Sequence, residues 1–286
     1  MATGPTGRLL ASCPDQPGII AAATAFVAGH GGNVIDLQQH TDHTDQAFFL
    51  RLEFELDGFD LPREDIIGTF APLAERFAMR ATVGFSDELP RLGLLASQQA
   101  HCVHDLLHRW REGDLAVDIP VLVSNHPDHE AAAAWFGVEH HHLPIVDGDK
   151  AAQEEQVRAV LRAHDVDLVV LARYMQILSP EFCDEWAGRI INIHHSFLPS
   201  FQGARPYHQA HERGVKLIGV TAHYATAVLD DGPIIDQDVI RVSHRDDVED
   251  LRRKGRDLEV AVLHRALLAH IDHRTLVYGR RTVVFA

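Results

Sequence analysis

Apolar positions recur with two different periods over the first 85 residues. Alternating apolar and polar side chains from Phe49 to Leu56 predict a half-buried strand, and segments with helical spacing lie on either side of it. The predicted elements are a strand, a helix, two paired strands, a helix and a strand, over residues 8–13, 15–32, 33–42, 46–56, 63–77 and 79–85. Pro17 is expected early in the first helix, Gly31 and Gly32 at its end, and Pro72 at a kink in the second. This β-α-β-β-α-β order is that of a ferredoxin-like α+β domain.

The pattern changes after a polar, proline-containing hinge, SDELPR, at residues 86–91. Short apolar runs of strand length then alternate with helical segments, which predicts a mostly parallel sheet with helices on both faces. Strands are expected at residues 91–97, 119–125, 141–145, 166–172, 189–194, 217–224 and 233–242, and helices at 101–110, 129–137, 151–164, 181–186 and 248–273. The expected fold class is α/β, with a ferredoxin-like domain over residues 1–86 and a Rossmann-like domain over 87–286.

Composition excludes several classes of protein. Aspartate and glutamate number 41 against 26 lysine and arginine residues, and the formal charge of −15 repels nucleic-acid phosphate. No apolar stretch has the length of a membrane span, and the N-terminus lacks the basic and apolar regions of a secretory signal. The three cysteines, Cys13, Cys102 and Cys183, form neither a disulfide framework nor a zinc pattern. We therefore expect a cytoplasmic protein without a nucleic-acid or membrane partner.

Histidine is abundant, with 21 residues, and three of them are adjacent at positions 140–142. Neighbouring residues on a strand point to opposite faces, so three in a row seldom converge on one ion. We expect no metal site there.

The strongest chemical signal lies at the end of the strand over residues 189–194. Asn192 and His194 are two residues apart, so they share a face at the edge where open α/β sheets bind ligands. A loop stiffened by Pro199 and Gly203 follows, and Asp230 later precedes a Gly-Pro turn. Taken singly, the amide would cap a turn, the imidazole would bond to backbone groups, and the carboxylate would be solvated.

Together these segments resemble the folate-dependent formyltransferase superfamily. The resemblance rests on Asn192-Ile193-His194, Ser196-Phe197-Leu198-Pro199 and Asp230-Asp231-Gly232, in that order, and extends from about residue 91 to the end. The segment LARYMQILSP, residues 171–180, is similar to the one that lines the folate pocket in that family. The resemblance implies that Asn192, His194 and Asp230 are catalytic. It also implies substrate contacts from Tyr174, Met175, Gln176, Leu178, His195, Ser196 and Gly203.

The first domain resembles the ACT domain, a small regulatory module that often binds amino acids between paired copies. The resemblance covers about residues 8–85 and rests on the element order and on PDQPGI at the first turn. It implies an amino-acid effector near Asp15, Gly18 and Asn33, and a homo-oligomer. The alternative is a dimerisation domain without a ligand, because a fold does not fix a function.

Members of the superfamily differ in what receives the formyl group. A ribonucleotide acceptor needs a glycine-rich loop for its phosphate after the first strand, but no glycine occurs between Gly93 and Gly113. Gln98, Gln99 and His101 occupy that stretch instead. A tRNA acceptor calls for basic surface, which the net charge opposes. Water remains as the expected acceptor.

The remaining features are similar to the formyltetrahydrofolate deformylase family. They are the ACT-like domain ahead of the formyltransferase-like one, His195 where the related transferases have proline, and VSHRDDVEDLRRKGRDLE at residues 242–259. Gln176 departs from the arginine of related transferases. The resemblance implies hydrolysis of 10-formyltetrahydrofolate to formate and tetrahydrofolate, which balances one-carbon pools and supplies formate for purine biosynthesis. The folate is then the substrate, and no tightly bound cofactor, metal or nucleophilic cysteine is expected.

Two alternatives remain at this point. One is formyl transfer to a small amine acceptor, and the other is a non-catalytic sensor of folate or amino acids. In the hydrolase, Asn192 would donate to the oxyanion and His194 would carry a proton. Asp230 either orients the imidazolium or activates the water. His195 faces away from His194 on an ideal strand, so it either orients the water or packs.

Overall fold

The computed structural model describes residues 4–200 and 206–286, which divide into two compact units. The first unit comprises the chain up to Glu88, Asp272–Leu276 and Val283–Ala286, and the second comprises Leu89–Ile271 and Val277–Thr282. The sequence prediction differs in two respects, because it placed the boundary after residue 86 and assigned all later residues to the second domain.

The first unit contains the elements β1 Thr6–Pro14, α1 Ile19–Gly29, β2 Val34–Asp42, β3 Ala47–Glu55, α2 Arg63–Arg76 and β4 Arg80–Phe85. Its strands form one antiparallel sheet in the order β2-β3-β1-β4. This order confirms the predicted ferredoxin-like fold. Leu50, Leu52 and Phe54 of β3 pack in one core with Val27 of α1 and Phe70 of α2.

The start of α1 differs from the prediction. Gly18 precedes the helix with a φ of 95°, a left-handed conformation that glycine adopts without a steric penalty. Pro17 therefore lies in the preceding turn and is not a residue of the helix. Pro72 lies inside α2, and the predicted kink at this residue stays a prediction.

The other face of β3 carries a buried guanidinium whose three nitrogens are all hydrogen-bonded. Arg51 is 4% exposed. Its Nη1 donates to Asp36 Oδ2 at 2.9 Å, and its Nη2 donates to Glu53 Oε2 at 2.7 Å. Its Nε donates to the carbonyl of His273 at 3.1 Å, in the C-terminal segment that belongs to this unit.

The second unit contains β5 Arg91–Ala96, α3 His101–Glu112, β6 Asp118–Ser124, α4 Glu130–Phe136, β7 Glu139–His142, α5 Lys150–Ala163, β8 Leu168–Leu171, α6 Pro180–Glu185, β9 Ile190–His194, α7 Pro206–Arg213, β10 Leu217–Tyr224, β11 Ile234–Arg241 and α8 Val248–Ile271. Its seven strands follow the order β11-β10-β9-β8-β5-β6-β7. The pairs from β7 to β9 are parallel, and β10 and β11 are antiparallel additions at one edge. The predicted Rossmann-like, mostly parallel sheet is confirmed.

Four elements of the structure differ from the sequence prediction. The strand expected at 141–145 begins earlier, because β7 pairs with β6 through Glu139–His142. Helix α7 was not predicted, since only Pro206, Tyr207 and Ala210 on it are buried and its apolar pattern is correspondingly weak. The strands β12 Thr275–Tyr278 and β13 Arg281–Val284 were also missed, and Gly279, with a φ of 57°, lies in the turn between them.

The longest helix, α8, packs Val262, Leu263, Ala266 and Leu267 against the main core of the second unit. Charged residues cover the rest of its surface. Within the described residues, no helix combines the length and the hydropathy that a membrane span needs.

Candidate active site

The strand β9 delivers two polar side chains to the carboxyl edge of the sheet. It pairs with β8 on one side and with β10 on the other, in a register that places Asn192 opposite His223. Asn192 and His194 both line a cavity of about 410 Å³. The two-residue spacing predicted this shared face.

His194 is held at both ring nitrogens. Its Nδ1 lies 3.1 Å from Asp230 Oδ1, and its Nε2 lies 2.8 Å from Ser196 Oγ. The two side chains are 8% and 10% exposed. The hydrogen bond from His194 lowers the pKa of the Asp230 carboxyl, so the carboxylate stays ionised near neutral pH.

These contacts define one proton of the ring. The ionised Asp230 can only accept, so His194 Nδ1 carries a proton and donates to it. Nε2 lies against the Ser196 hydroxyl, which can donate or accept and also reaches the carbonyl of Ser200 at 3.1 Å.

The loop that returns Asp230 depends on a close backbone approach. A Cβ on Gly232 would meet the carbonyl oxygen of Tyr224 at 1.7 Å, so only glycine fits there. Asp230 itself has a φ of 56°, a left-handed conformation that aspartate and asparagine tolerate better than most residues. The Asp-x-Gly spacing therefore aims the carboxylate at the ring.

Asn192 is oriented by a residue that sequence reasoning did not single out. Its Nδ2 lies 3.1 Å from His223 Nε2, and His223 Nδ1 donates to the carbonyl of Tyr224 at 3.0 Å. Burial lowers the pKa of His223, which keeps the ring neutral with Nε2 free to accept. One amide N–H of Asn192 is thus used, and among the described residues the other has no partner, so it remains for a ligand. The only sequence signal was a histidine within the apolar run of β10.

The predicted substrate-binding residues Tyr174, Met175, Gln176 and Leu178 all line the cavity. Met175 is 57% exposed, and Val228 and Leu229, on the loop before Asp230, are 61% and 56% exposed. The wall therefore presents uncovered apolar side chains, as an aromatic ligand requires. The backbone N–H of Met175 is fixed by Ser97 Oγ at 2.9 Å.

His195 lies beside His194 rather than opposite to it. The strand ends at His194, so the alternation of faces no longer applies, and the expectation that His195 faces away was wrong for this reason. The two rings are 5.3 Å apart, and His195 lines the same cavity. Burial, together with the charge of Arg173, lowers the pKa of His195 to about 3, so the ring is neutral. Ser196 does not line this cavity but contacts His194, and Gly203 lies outside the described residues.

Arg173 is a second residue that the sequence analysis missed. It lies after the end of β8, directly before Tyr174, and lines the cavity. It is 6% exposed and has a φ of 64°. Its Nε lies 3.3 Å from both Gln99 Oε1 and Glu259 Oε2. Glu259 also accepts from His101 at 2.7 Å and from Tyr207 at 3.0 Å. A basic residue within an apolar segment was the available signal.

The residues expected to bind an effector are all exposed in the first unit. Asp15 and Gly18 precede α1, whereas Asn33 follows its far end. An 11-residue helix is about 16 Å long, so one unit does not bring the three residues together. A cavity of about 590 Å³ in this unit is lined by other residues, including Phe59 and Arg63.

Two groups of side chains among the described residues approach the spacing of metal ligands. One is Glu139, His141 and His164, so only the middle histidine of the run at 140–142 takes part. The other is His101, Cys102 and Glu259. Burial raises the pKa of Cys102 well above its usual value, so its thiol stays protonated and is a poor ligand. Neither group includes Asn192, His194 or Asp230, and we assign no metal role.

Comparison with known proteins shows which class of protein each of the two units belongs to. The formyl transferase family profile matches residues 91–267, and the ACT domain profile matches residues 7–61. A glycinamide ribonucleotide transformylase from Symbiobacterium toebii superposes with a TM-score of 0.67 at 32% identity, covering 71% of this chain and 97% of that one. The second unit therefore has the formyl transferase fold, and an ACT domain precedes it.

Full-length relatives define the family more narrowly. A formyltetrahydrofolate deformylase from Synechocystis is 55% identical over 281 residues, which cover 98% of this chain and 99% of that protein. The crystal structure of a formyltetrahydrofolate deformylase from Pseudomonas syringae superposes with a TM-score of 0.97 at 46% identity, covering 99% of this chain and 96% of that one. The chain belongs to the formyltetrahydrofolate deformylase family.

Proposed function

We propose that the protein hydrolyses 10-formyltetrahydrofolate to formate and tetrahydrofolate. The observation that carries the proposal is the contact between His194 and Asp230 beside the Asn192 amide, at one cavity with exposed apolar walls. Relatives that match along the whole chain have the name formyltetrahydrofolate deformylase, which supports the same reaction. The folate is the substrate in this proposal, and no tightly bound cofactor takes part.

Hydrolysis of the N-formyl group proceeds through a tetrahedral oxyanion. In the proposed mechanism the free N–H of Asn192 donates to that oxygen as its charge develops, while His223 keeps the amide in place. The apolar side chains of Met175, Val228 and Leu229 contact the ring system of the folate.

Proton transfers complete the reaction. In the proposed mechanism His194 is the acid that protonates N10 as the C–N bond breaks. The attacking water loses one proton to Asp230, which is the base in contact with the ring. The formic acid that results gives its remaining proton to the neutral His194 and leaves as formate, and Asp230 releases its proton to solvent. Ser196 keeps the ring in position between these steps.

A formate-release assay tests the proposal directly. Purified protein is mixed with 10-formyltetrahydrofolate in the absence of any amine, and formate and tetrahydrofolate are both quantified. We expect equal amounts of the two products, and no release by the Asp230→Asn variant. Product formation that depends on an added amine would show that the protein is a formyl transferase and not a hydrolase. Folate binding without turnover would favour a sensor.

We extend the proposal to regulation and assembly. The ACT domain would bind an amino acid near Asp15, Gly18 and Asn33, and two copies would be needed because α1 separates these residues. A homo-oligomer follows from that requirement. Light scattering of the purified protein tests the assembly, and turnover with and without single amino acids tests the effector. We also place the enzyme in the cytoplasm, where its formate would enter purine biosynthesis and its activity would balance one-carbon pools.

A further inference from the structure

A second cavity lies next to the active site on the side of His195. Its volume is about 190 Å³, and Arg173 and His195 line it as well as the first cavity. The wall that the two cavities share is therefore made by a guanidinium and a neutral imidazole. The two cavities are thus adjacent at these two side chains.

Arg173 presents unused donors to these cavities. Its side chain is 94% buried, with 6% exposed, and among the described residues only its Nε has a hydrogen-bond partner. Nη1 and Nη2 are two parallel donors of the fork that binds a carboxylate through both oxygens. A buried guanidinium with free donors is costly unless a ligand or solvent satisfies it.

The charges of the second cavity favour an anion of small charge. Its described lining includes three arginines, Arg173, Arg252 and Arg256, against two glutamates, Glu249 and Glu259. Glu259 is 1% exposed and is already engaged by His101, Tyr207 and Arg173, so it anchors the site rather than repelling a ligand from it. The balance is one positive charge, which matches a monoanion.

We infer that this cavity is a carboxylate-anion site that takes formate, bound by the free fork of Arg173 with Arg252 and Arg256 at its rim. The choice of formate rests on the proposed hydrolysis, which creates a carboxylate of three heavy atoms at the common wall. The site gives that anion a route away from the folate cavity, and it accounts for an arginine that the hydrolytic step does not use.

The test is a titration of the full-length protein with formate, monitored by broadening of the formate proton resonance. Arg256→Gln removes a rim charge from an exposed position of α8 and should raise the dissociation constant about tenfold. Arg173→Lys keeps the charge but loses the fork and should have an effect at least as large. Arg253→Gln is the matched control, because Arg253 is on the same helix, does not line the cavity and pairs with Asp250.

The outcomes separate this inference from the proposed function. Formate binding that Arg256→Gln weakens and Arg253→Gln leaves within about twofold supports the site. An equal loss in both variants would show a general charge effect and overturn it, as would tighter binding of phosphate than of formate. Normal turnover of 10-formyltetrahydrofolate with no formate binding would overturn the site and leave the hydrolase intact. Formate binding without turnover would instead contradict the proposed hydrolysis. Formate would then not be a product that this site receives.

Discussion

Arg51 in the first unit and Arg173 in the second are buried to nearly the same extent, at 4% and 6% exposure. They differ in what their nitrogens contact. Every nitrogen of Arg51 donates to a carboxylate or a carbonyl. Arg173 uses only Nε among the described residues and keeps two nitrogens towards the cavities. Burial alone therefore does not separate a structural ion network from a ligand site.

The comparison extends to the residues around each arginine. In the first unit Asp36 and Glu53 are paired by Arg51, so the cluster is complete without a ligand. In the second unit Asn192 keeps one N–H without a partner among the residues that the structure describes, and His194 and Asp230 line a cavity. Mutations in the first cluster should lower the stability of the protein, and mutations in the second should lower its turnover.

The largest expected effect is the loss of turnover in Asp230→Asn. Asparagine keeps the size and tolerates the left-handed backbone, but it offers the His194 ring no charged acceptor. We expect a decrease in kcat/KM of about a thousandfold, or about 4 kcal/mol of transition-state stabilisation. The melting temperature should stay close to that of the unmodified protein. Asp231→Asn is the control, because Asp231 pairs with the exposed Arg280 and does not line the cavity, so its turnover should be unchanged.

Arg51→Met should lower the stability of the protein and leave its turnover unchanged. It removes the ion pairs of the buried guanidinium with Asp36 and Glu53, although Glu53 keeps Thr6 and Arg8 as partners, and this costs about 3 kcal/mol of unfolding free energy. Urea unfolding of the full chain measures this loss, while kcat per folded molecule should be unchanged. Arg80→Met, at an exposed position of β4, should stay within about 0.5 kcal/mol. A loss of turnover in Arg51→Met without a loss of stability would contradict the division of roles.

Asn192→Ala should again affect turnover, by a smaller factor. Loss of one oxyanion donor lowers kcat by about a hundredfold, equivalent to about 2.7 kcal/mol. The cavity is retained, so folate binding, measured by fluorescence titration, should change little. Asn33→Ala in the first unit should leave turnover without amino acids unaffected. If Asn192→Ala keeps nearly full turnover, the oxyanion donor lies elsewhere.

The smallest effect at neutral pH is expected at His195, because its contribution to stability is lost only as the pH falls. Its pKa is about 3 in the folded protein and about 6.5 when unperturbed, so between these values the unfolded chain binds one more proton. Stability from this group is therefore present above pH 6.5 and is lost as pH falls towards 3, by about 1.4 kcal/mol per pH unit. His195→Gln should flatten the acid limb of the stability curve by that slope, as measured by urea unfolding at several pH values. Parallel curves would mean that His195 is charged in the native protein.

Much of the fold could be predicted from local patterns. The alternation in β3 and the apolar runs of β5, β6 and β8 correctly predicted these strands, because side-chain direction along a strand is a local property. Helix α7 and the C-terminal strands were not predictable in the same way, because few of their side chains are buried. The return of residues 272–276 to the first unit depends on long-range contacts such as that of Arg51.

The sequence by itself determined the order of most elements, the shared face of Asn192 and His194, and the turn that follows Asp230. Only the tertiary structure decided which groups satisfy one another. The pairing of Asn192 with His223 follows from the neighbouring positions of β9 and β10, and the free fork of Arg173 follows from the placement of α8. The physical reason is that side-chain direction is set within a few residues, whereas the partner of a buried polar group is set by elements distant in the chain.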